Sequence, residues 1–393
     1  MSSVLDELSE DQREIVGLVR QFVDEQVIPV ASEYEHTDTF PDDIVAGLRE
    51  LGIFGFTIPE RYGGLGLDLT TYALAVCELS RGWMSVSGII NTHFIVADMI
   101  MRDGTEEQKQ RFLPQMATGE MRCSFSMTEP EAGSDVQAIR TRAVRDGDDY
   151  VVNGQKMWVT NGLRSGLVAL LVKTDPDAKP AHRGMSCLLV EKPPGAAQDG
   201  GLTIPPQLGK LGYKGVETTE LVFADHRVPG ANLLGGEEGH GFQQMMSGIE
   251  VGRVNVAARG VGVAQRAFEL AIRYAQEREA FGKPIAKHQG IQFKLAEMAT
   301  KIEASRLLML SAARKKDAGE RSDVEAGMAK LYASEICHEV VEDSFRIHGG
   351  YGYSKEYEIE RLYRDAPLLL VGEGTSEIQK LIVARGMLAR YPL

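Results

Sequence analysis

Cysteine is scarce, with four in 393 residues. Cys77, Cys123, Cys187 and Cys337 show no CxxC or metal-ligand spacing, which argues against a disulfide scaffold or a zinc cluster and fits free thiols in a reducing compartment. Basic residues are outnumbered 43 to 56, and a formal charge of -13 would repel a phosphate backbone or an anionic membrane surface. Nucleic acid is therefore excluded as a first-choice partner. The N-terminal stretch MSSVLDELSEDQRE carries acids where a secretory signal needs a basic segment followed by an apolar one, and no apolar run reads as long enough for a membrane span. A cytoplasmic chain without membrane insertion is expected. Walker loops, HExxH pairs and GxSxG elbows are missing, and the eight histidines are scattered, so no metal is expected. The nearest approach to a dinucleotide fingerprint, GVGV at 260 to 263, lies inside a helical pattern with no strand before it, and reads as close helix packing. What is present, 43% apolar and 25% charged residues, is the composition of a folded protein of two or three domains.

Ser9 with Gln12 reads as a capping box, and Ile15, Leu18, Val19, Phe22 and Val23 then follow helical spacing until Pro29. Helical patterns resume after Phe40-Pro41, from Leu69 to Gly82 and from Met84 to Asp103, giving a helical region over 1–120. Over 121–236 the signal is β: residues 150–152, an Asn153-Gly154 turn and residues 156–160 read as strand, turn, strand, and 167–172, 185–190 and 220–223 add short strands. Helical periodicity returns after the connector GGEEGHG (235–241), with helices expected at 242–278, 287–317, 322–348 and 376–389. Ile291, Leu295, Met298 and Ile302 form one buried stripe. This third region spans 237–393. A helix, sheet, helix order does not alternate, so the expected class is α+β and not a doubly wound parallel sheet.

Four Gly-rich, hydroxyl-bearing loops carry the chemical interest: MTEPEAGSD (127–135), WVTNG (158–162), HGGYG (348–352) and GEGTSE (372–377). Each would present backbone N–H groups to a phosphate or a polar heterocycle, and Ser376 with Gln379 reads as a second capping box. One such loop is usually a plain turn; four in one chain carry more weight. Glu373 lies between two glycines after the apolar run LLLV, and a carboxylate in apolar surroundings has its pKa raised and suits a general base. The bland alternative is a solvated loop glutamate. Trp158, one of two tryptophans, is either core or a flat cover for a flavin.

Those segments, together with KMWVTNG (156–162), EREAFGKPI (277–285), His288-Gln289 and EGTSEIQ (373–379), resemble the acyl-CoA dehydrogenase family across essentially the whole chain. The resemblance implies an N-terminal helical domain, a middle β-barrel or sandwich domain and a C-terminal four-helix bundle. It also implies a homotetramer arranged as a dimer of dimers, FAD between sheet and bundle, an acyl-CoA substrate and an electron-transfer flavoprotein as partner. By the same resemblance Phe125, Met127, Thr128, Ser134, Trp158 and Thr160 face the flavin, with Thr375 and Glu377 contacting it from the last helix start. Arg278, Phe281 and Gln289, with the segment containing Arg346, Gly349 and Gly350, bind the dinucleotide, Arg278, Phe281 and Gln289 from a neighbouring subunit. Ser134, Glu250, Arg253 and Gly374 lie on the acyl-CoA side. Glu373 is the expected catalytic base, removing the α-proton while the β-hydrogen leaves as hydride. The alternative base position of some relatives is Gly252 here. Gly372 replaces an aromatic residue and Glu377 an amide. Arg81 aligns with an arginine that glutaryl-CoA dehydrogenases use for a distal carboxylate, although structural pairing is its default role. Oxidase, glutaryl-CoA-type and desulfinase-like activities are the alternatives on the same fold. A non-enzymatic or nucleic-acid-associated member is disfavoured by the acidic balance and by Glu373.

Overall fold

The computed structural model describes residues 8–392. Six helices come first: α1 (Glu10–Phe22), α2 (Ile28–Thr37), α3 (Asp42–Glu50), α4 (Leu69–Gly82), α5 (Met84–Asp103) and α6 (Glu106–Ala117). The capping box at α1 is formed, Ser9 accepting from the Gln12 N–H and Gln12 answering on the Ser9 N–H. Pro29 does not end the helical run as the spacing implied. A π-turn over Val23–Val27 restarts the helix so that Pro29 falls in its first turn, where its missing N–H has no intrahelical partner to lose.

A second correction concerns α5. Its 20 residues have the length and mean hydropathy, 1.3, of a membrane span, contrary to the reading that no such run exists. It is instead a core helix, 89% of that span being buried by the surrounding elements.

The middle third is one eight-stranded sheet: β1 (Cys123–Ser126), β2 (Arg142–Asp146), β3 (Asp149–Thr160), β4 (Leu167–Lys173), β5 (Met185–Glu191), β6 (Gln198–Asp199), β7 (Leu202–Thr203) and β8 (Thr218–Pro229), ordered β1-β4-β2-β3-β8-β7-β6 with β5 on β4. Asn153-Gly154 is not the expected hairpin turn. Both residues lie inside β3, where the register against β8 shifts. The Asn153 amide exchanges two 2.9 Å hydrogen bonds with Asp225 on β8, which holds the strand straight through the dipeptide. The real hairpin is two residues long, Gly147-Asp148, between Asp146 and Asp149.

Helices α7 (Gly241–Glu277), α8 (Gln289–Asp317), α9 (Asp323–His348), α10 (Ile359–Asp365), α11 (Leu368–Val371) and α12 (Ser376–Arg390) complete the chain. Within the expected stripe of α8, Met298 and Ile302 are buried while Ile291 and Leu295 are only partly covered. The first and last thirds share one hydrophobic core. Gly260 and Gly262 make this possible: a Cβ on the first would meet the Ala333 backbone of α9 at 2.7 Å, and a Cβ on the second would strike Cys77 of α4. The GVGV run is a packing device, as its helical setting suggested. The link between β7 and β8 also crosses to this core and buries Tyr213 there.

Candidate active site

Glu373 sits between α11 and α12 with φ 54°, a left-handed conformation costing a non-glycine residue roughly 1–2 kcal/mol. The loop imposes it through several bonds. Thr375, not Ser376, caps α12 by accepting from the Ile378 N–H. The expected Ser376–Gln379 box is absent because the cap lies one residue earlier, which frees the Gln379 amide to donate to the carbonyls of Glu373 (3.2 Å) and Gly374 (3.1 Å). Beneath the loop, fully buried Lys330 of α9 donates to the Gly374 carbonyl at 2.7 Å.

The Glu373 carboxyl lies against α7 at Gly252, where any Cβ would collide with Oε2. Asn91 of α5 donates to Oε1, while Oε2 is buried without a partner. A buried oxygen left free is costly in a resting structure and useful in one that must accept a proton. Burial raises the Glu373 pKa, opposed by Arg259, the Asn91 hydrogen bond, Lys330 and Arg253. A general base works ionised, so with Glu373 in that role kcat/KM is expected to fall on acidification through a pKa above the ordinary carboxylate range. A pH–rate profile flat down to that ordinary range would contradict this.

The sheet supplies a shelf beside this carboxyl. Lys156 is fully buried and donates to Glu129 (2.9 Å) and to the Met127 carbonyl (3.0 Å), while Glu129 accepts from the N–H groups of Arg140 and Thr141. The Met157 N–H closes onto Thr128. Loop 127–129 and strand β3 are thereby clipped together, with Phe125 and Met127 partly buried behind them. Trp158 stands on a register shift with φ 61° and is 58% exposed, so it is a surface ring and not core. Its neighbour Asn161 donates to the Ile89 carbonyl (3.0 Å) and to Thr92 Oγ1 (2.8 Å) of α5, adjacent to Asn91. Base and shelf thus converge on residues 89–92 of one helix. Ser134 is exposed beside the shelf loop, and Glu377 at the α12 start is exposed with its carboxyl held below the usual range by its own backbone N–H.

The other expected dinucleotide residues lie far away. Arg278, Gly349 and Gly350 line a cavity of about 540 Å³ with Tyr274 and His348. Phe281 is 95% exposed against His288, Gln289 opens α8, and Arg346 pairs with Glu342. From Gly252 to Arg278 the single helix α7 spans roughly 39 Å at 1.5 Å per residue. Within one chain the two groups are therefore well separated.

Two further residues were expected on the acyl-CoA side. Arg253 is buried with its Nε unpartnered, and Glu250 pairs with Lys316 at 3.5 Å. Arg81, for which structural pairing was the default and a substrate carboxylate the alternative, is held by Asp24 (2.5 Å), Glu78 (2.8 Å) and Glu269 (3.6 Å). Its backbone abuts Gly262, roughly 15 Å along α7 from Gly252, and its charge is already neutralised. Asn91, Tyr213, Arg259 and Lys330 were missed by the sequence reading. The available signal was a charged residue inside an apolar helical run, as in VNVAARGVGV (254–263).

The shelf suits a dinucleotide with an aromatic ring system. It offers an exposed indole and the buried, unpartnered Ser126 Oγ and Asn161 Oδ1, while around Gly133 there is open space. A buried carboxylate next to such a shelf marks, as a class, an oxidoreductase that works at a C–H bond. The acyl-CoA dehydrogenase N-terminal domain matches residues 9–120, the middle domain 124–226 and the C-terminal domain 239–388. The chain belongs to the acyl-CoA dehydrogenase family, FAD-dependent oxidoreductases acting on a CH–CH bond.

It is 41% identical to (2S)-methylsuccinyl-CoA dehydrogenase of Cereibacter sphaeroides over 97% of this chain and 70% of that protein. It is 40% identical to an acyl-CoA dehydrogenase of Bacillus subtilis over 97% of this chain and 99% of that one. A chain in the solved structure described as the electron transferring flavoprotein of Acidaminococcus fermentans is 37% identical, with a TM-score of 0.92 over 97% of this chain and 99% of that chain.

Proposed function

We propose that this protein dehydrogenates an acyl-CoA thioester between its α- and β-carbons to the trans-2-enoyl-CoA and passes the electrons to an electron-transfer flavoprotein. The observation that carries this reading is the convergence of the Glu373 carboxyl and the Trp158–Asn161 strand end on residues 89–92 of α5. An α-carbon placed there is expected to be within reach of both the carboxyl and the shelf.

The chemistry FAD supplies when bound is acceptance of the β-hydride. This chain's residues do the rest. Asn91 fixes one Glu373 oxygen so that the free Oε2 takes the α-proton, and Lys330 with Gln379 fixes the loop that carries it. Phe125, Met127, Thr128, Ser134, Trp158 and Thr160 hold the flavin side, joined by Thr375 and Glu377. Arg253 with Glu250, Ser134 and Gly374 holds the acyl-CoA. The guanidinium of Arg253 suits a phosphate.

The 39 Å scale of α7 supports a shared cofactor, with Arg278, Phe281, Gln289, Arg346, Gly349 and Gly350 serving the FAD of a neighbouring subunit in a homotetramer built as a dimer of dimers. Arg278→Ala is expected to lower the FAD retained after gel filtration through lost phosphate pairing, while the FAD that remains is still reduced. Unchanged FAD content would remove Arg278 from that role. The four cysteines are buried free thiols, which supports a reducing, cytoplasmic setting.

The reading as a whole is tested by adding acyl-CoA thioesters anaerobically to FAD-loaded protein, with bleaching of the flavin expected and reoxidation by an electron-transfer flavoprotein faster than by oxygen. Rapid peroxide formation with oxygen alone would indicate an oxidase. FAD-loaded protein that no thioester bleaches would overturn the proposal.

A further inference from the structure

Close to Glu373 is a buried cation that the dehydrogenase reading does not use. Arg259 lies on α7 two turns after Gly252, and at 4% exposure it is buried in the core shared by the helical regions. Residues 252, 255 and 259 fall on one helix face. Asn255 Oδ1 accepts from Arg259 Nε at 2.6 Å, and the Asn255 amide in turn donates to the Tyr72 hydroxyl at 2.6 Å. Arg259 Nη1 donates to the Tyr213 hydroxyl at 3.2 Å, with the Tyr213 ring 5.6 Å from the guanidinium carbon. Nη2 is buried and has no partner. Among the described residues no carboxylate lies within ion-pair distance of Arg259, in contrast to Arg81, Arg266, Arg361 and Arg364, each of which has one.

The surroundings are built to present this group. Tyr213 has φ 55°, and its N–H is fixed by Asp365 Oδ1 at 2.6 Å, so a strained backbone brings a tyrosine from the β7–β8 link into the helical core. Gly88 of α5 leaves room for the Tyr213 hydroxyl, which a Cβ would strike. A buried cation with a free N–H is costly unless an anion meets it. Glu373 is the acid that feels it, and that carboxyl is reserved for the α-proton.

Seven residues of helix place the Arg259 backbone roughly 10 Å beyond Gly252, and a helical arginine leans back toward the N-terminus. Its guanidinium, bonded back to Asn255, therefore lies within electrostatic reach of the Glu373 carboxyl at Gly252. Resting on the dehydrogenase reading, we infer that the substrate is a short ω-carboxyacyl-CoA, of about four or five acyl carbons, whose distal carboxylate is received by Arg259 Nη2 and the Tyr213 hydroxyl. This is the role that alignment suggested for Arg81, moved to a different helix.

The test compares anaerobic flavin bleaching by succinyl- and glutaryl-CoA with butyryl- and valeryl-CoA, for the wild-type holoenzyme, Arg259→Gln, Arg259→Lys and Tyr213→Phe, with FAD content and tetramer mass checked for each. The readout is the ratio of kcat/KM for carboxylated over neutral thioesters, because Arg259 also acts on Glu373 and absolute rates will move. The wild type is expected to favour the carboxylated set by at least about tenfold. Arg259→Gln is expected to lower the ratio roughly a hundredfold, as when one partner of a buried charge pair is removed. Lys is expected to restore part of it, and Phe at 213 to lose less. Wild-type preference for the neutral thioesters, or an unchanged ratio in a folded, FAD-loaded Arg259→Gln or Tyr213→Phe variant, would overturn the inference and leave the dehydrogenase reading intact. No bleaching by any thioester would overturn both.

Discussion

Glu373→Gln is expected to keep its yellow FAD and lose flavin reduction by more than about a hundredfold, the lower scale for a positioned general base. The substitution preserves the shape of the side chain and the partner that Asn91 needs, and removes only the ability to take a proton. Binding of the thioester should change far less than kcat. This separation matters because Glu373 occupies a strained backbone position pinned by Lys330, Gln379 and the Thr375 cap, so a shape-changing substitution would move the loop as well. Stopped-flow reduction under nitrogen, with FAD content measured on the same sample, gives the answer. Near-normal reduction would remove Glu373 from the mechanism.

Lys156→Met is expected to destabilise the folded holoenzyme by about 3–5 kcal/mol, because it leaves Glu129 as a buried charge whose cation is gone. Both partners are buried, so solvent screening does not soften the loss. Lys156 also holds the Met127 carbonyl, and the same substitution should loosen the loop that carries Met127 and Thr128 and raise FAD loss. Adding Glu129→Gln to Lys156→Met should recover part of the stability, since the amide can still accept from one of the Arg140 and Thr141 N–H groups without burying a lone charge. The check is the apparent unfolding midpoint of the three proteins alongside their FAD content. A Lys156→Met midpoint equal to that of the wild type would contradict the assignment of the ion pair as the clip between loop and strand.

What was legible in the sequence follows from how local each signal is. The helices at 241–277, 289–317 and 323–348 were readable because their apolar spacing persists over many turns, and α1 because its cap is a three-residue pattern. Pro29 misled because a π-turn is set by backbone winding, and Asn153-Gly154 misled because a cross-strand partner, Asp225, overrules the turn preference of the dipeptide. Trp158 was open to two readings, and its exposure is decided by a register shift that no single strand encodes.

The candidate base was visible from its flanking glycines and apolar approach. Its supports were not. Asn91, Lys330 and Arg259 come from three helices and meet Glu373 only through packing, separated in sequence by up to 282 residues. Arg81 shows the reverse case. Alignment offered it a substrate role beside its default of structural pairing; Asp24, Glu78 and Glu269 supply the pairing, and their convergence is a property of the tertiary structure.

The central claim is that the Glu373 carboxyl takes the α-proton of a bound thioester, and the most direct measurement isolates that step from electron transfer. Holoenzyme reduced beforehand with dithionite cannot accept a hydride, so with the best-bleaching thioester in D2O only exchange of the α-protons remains, followed by NMR. The wild type is expected to exchange them, and Glu373→Gln to do so more than about a hundredfold more slowly. Exchange by Glu373→Gln at the wild-type rate would contradict the account.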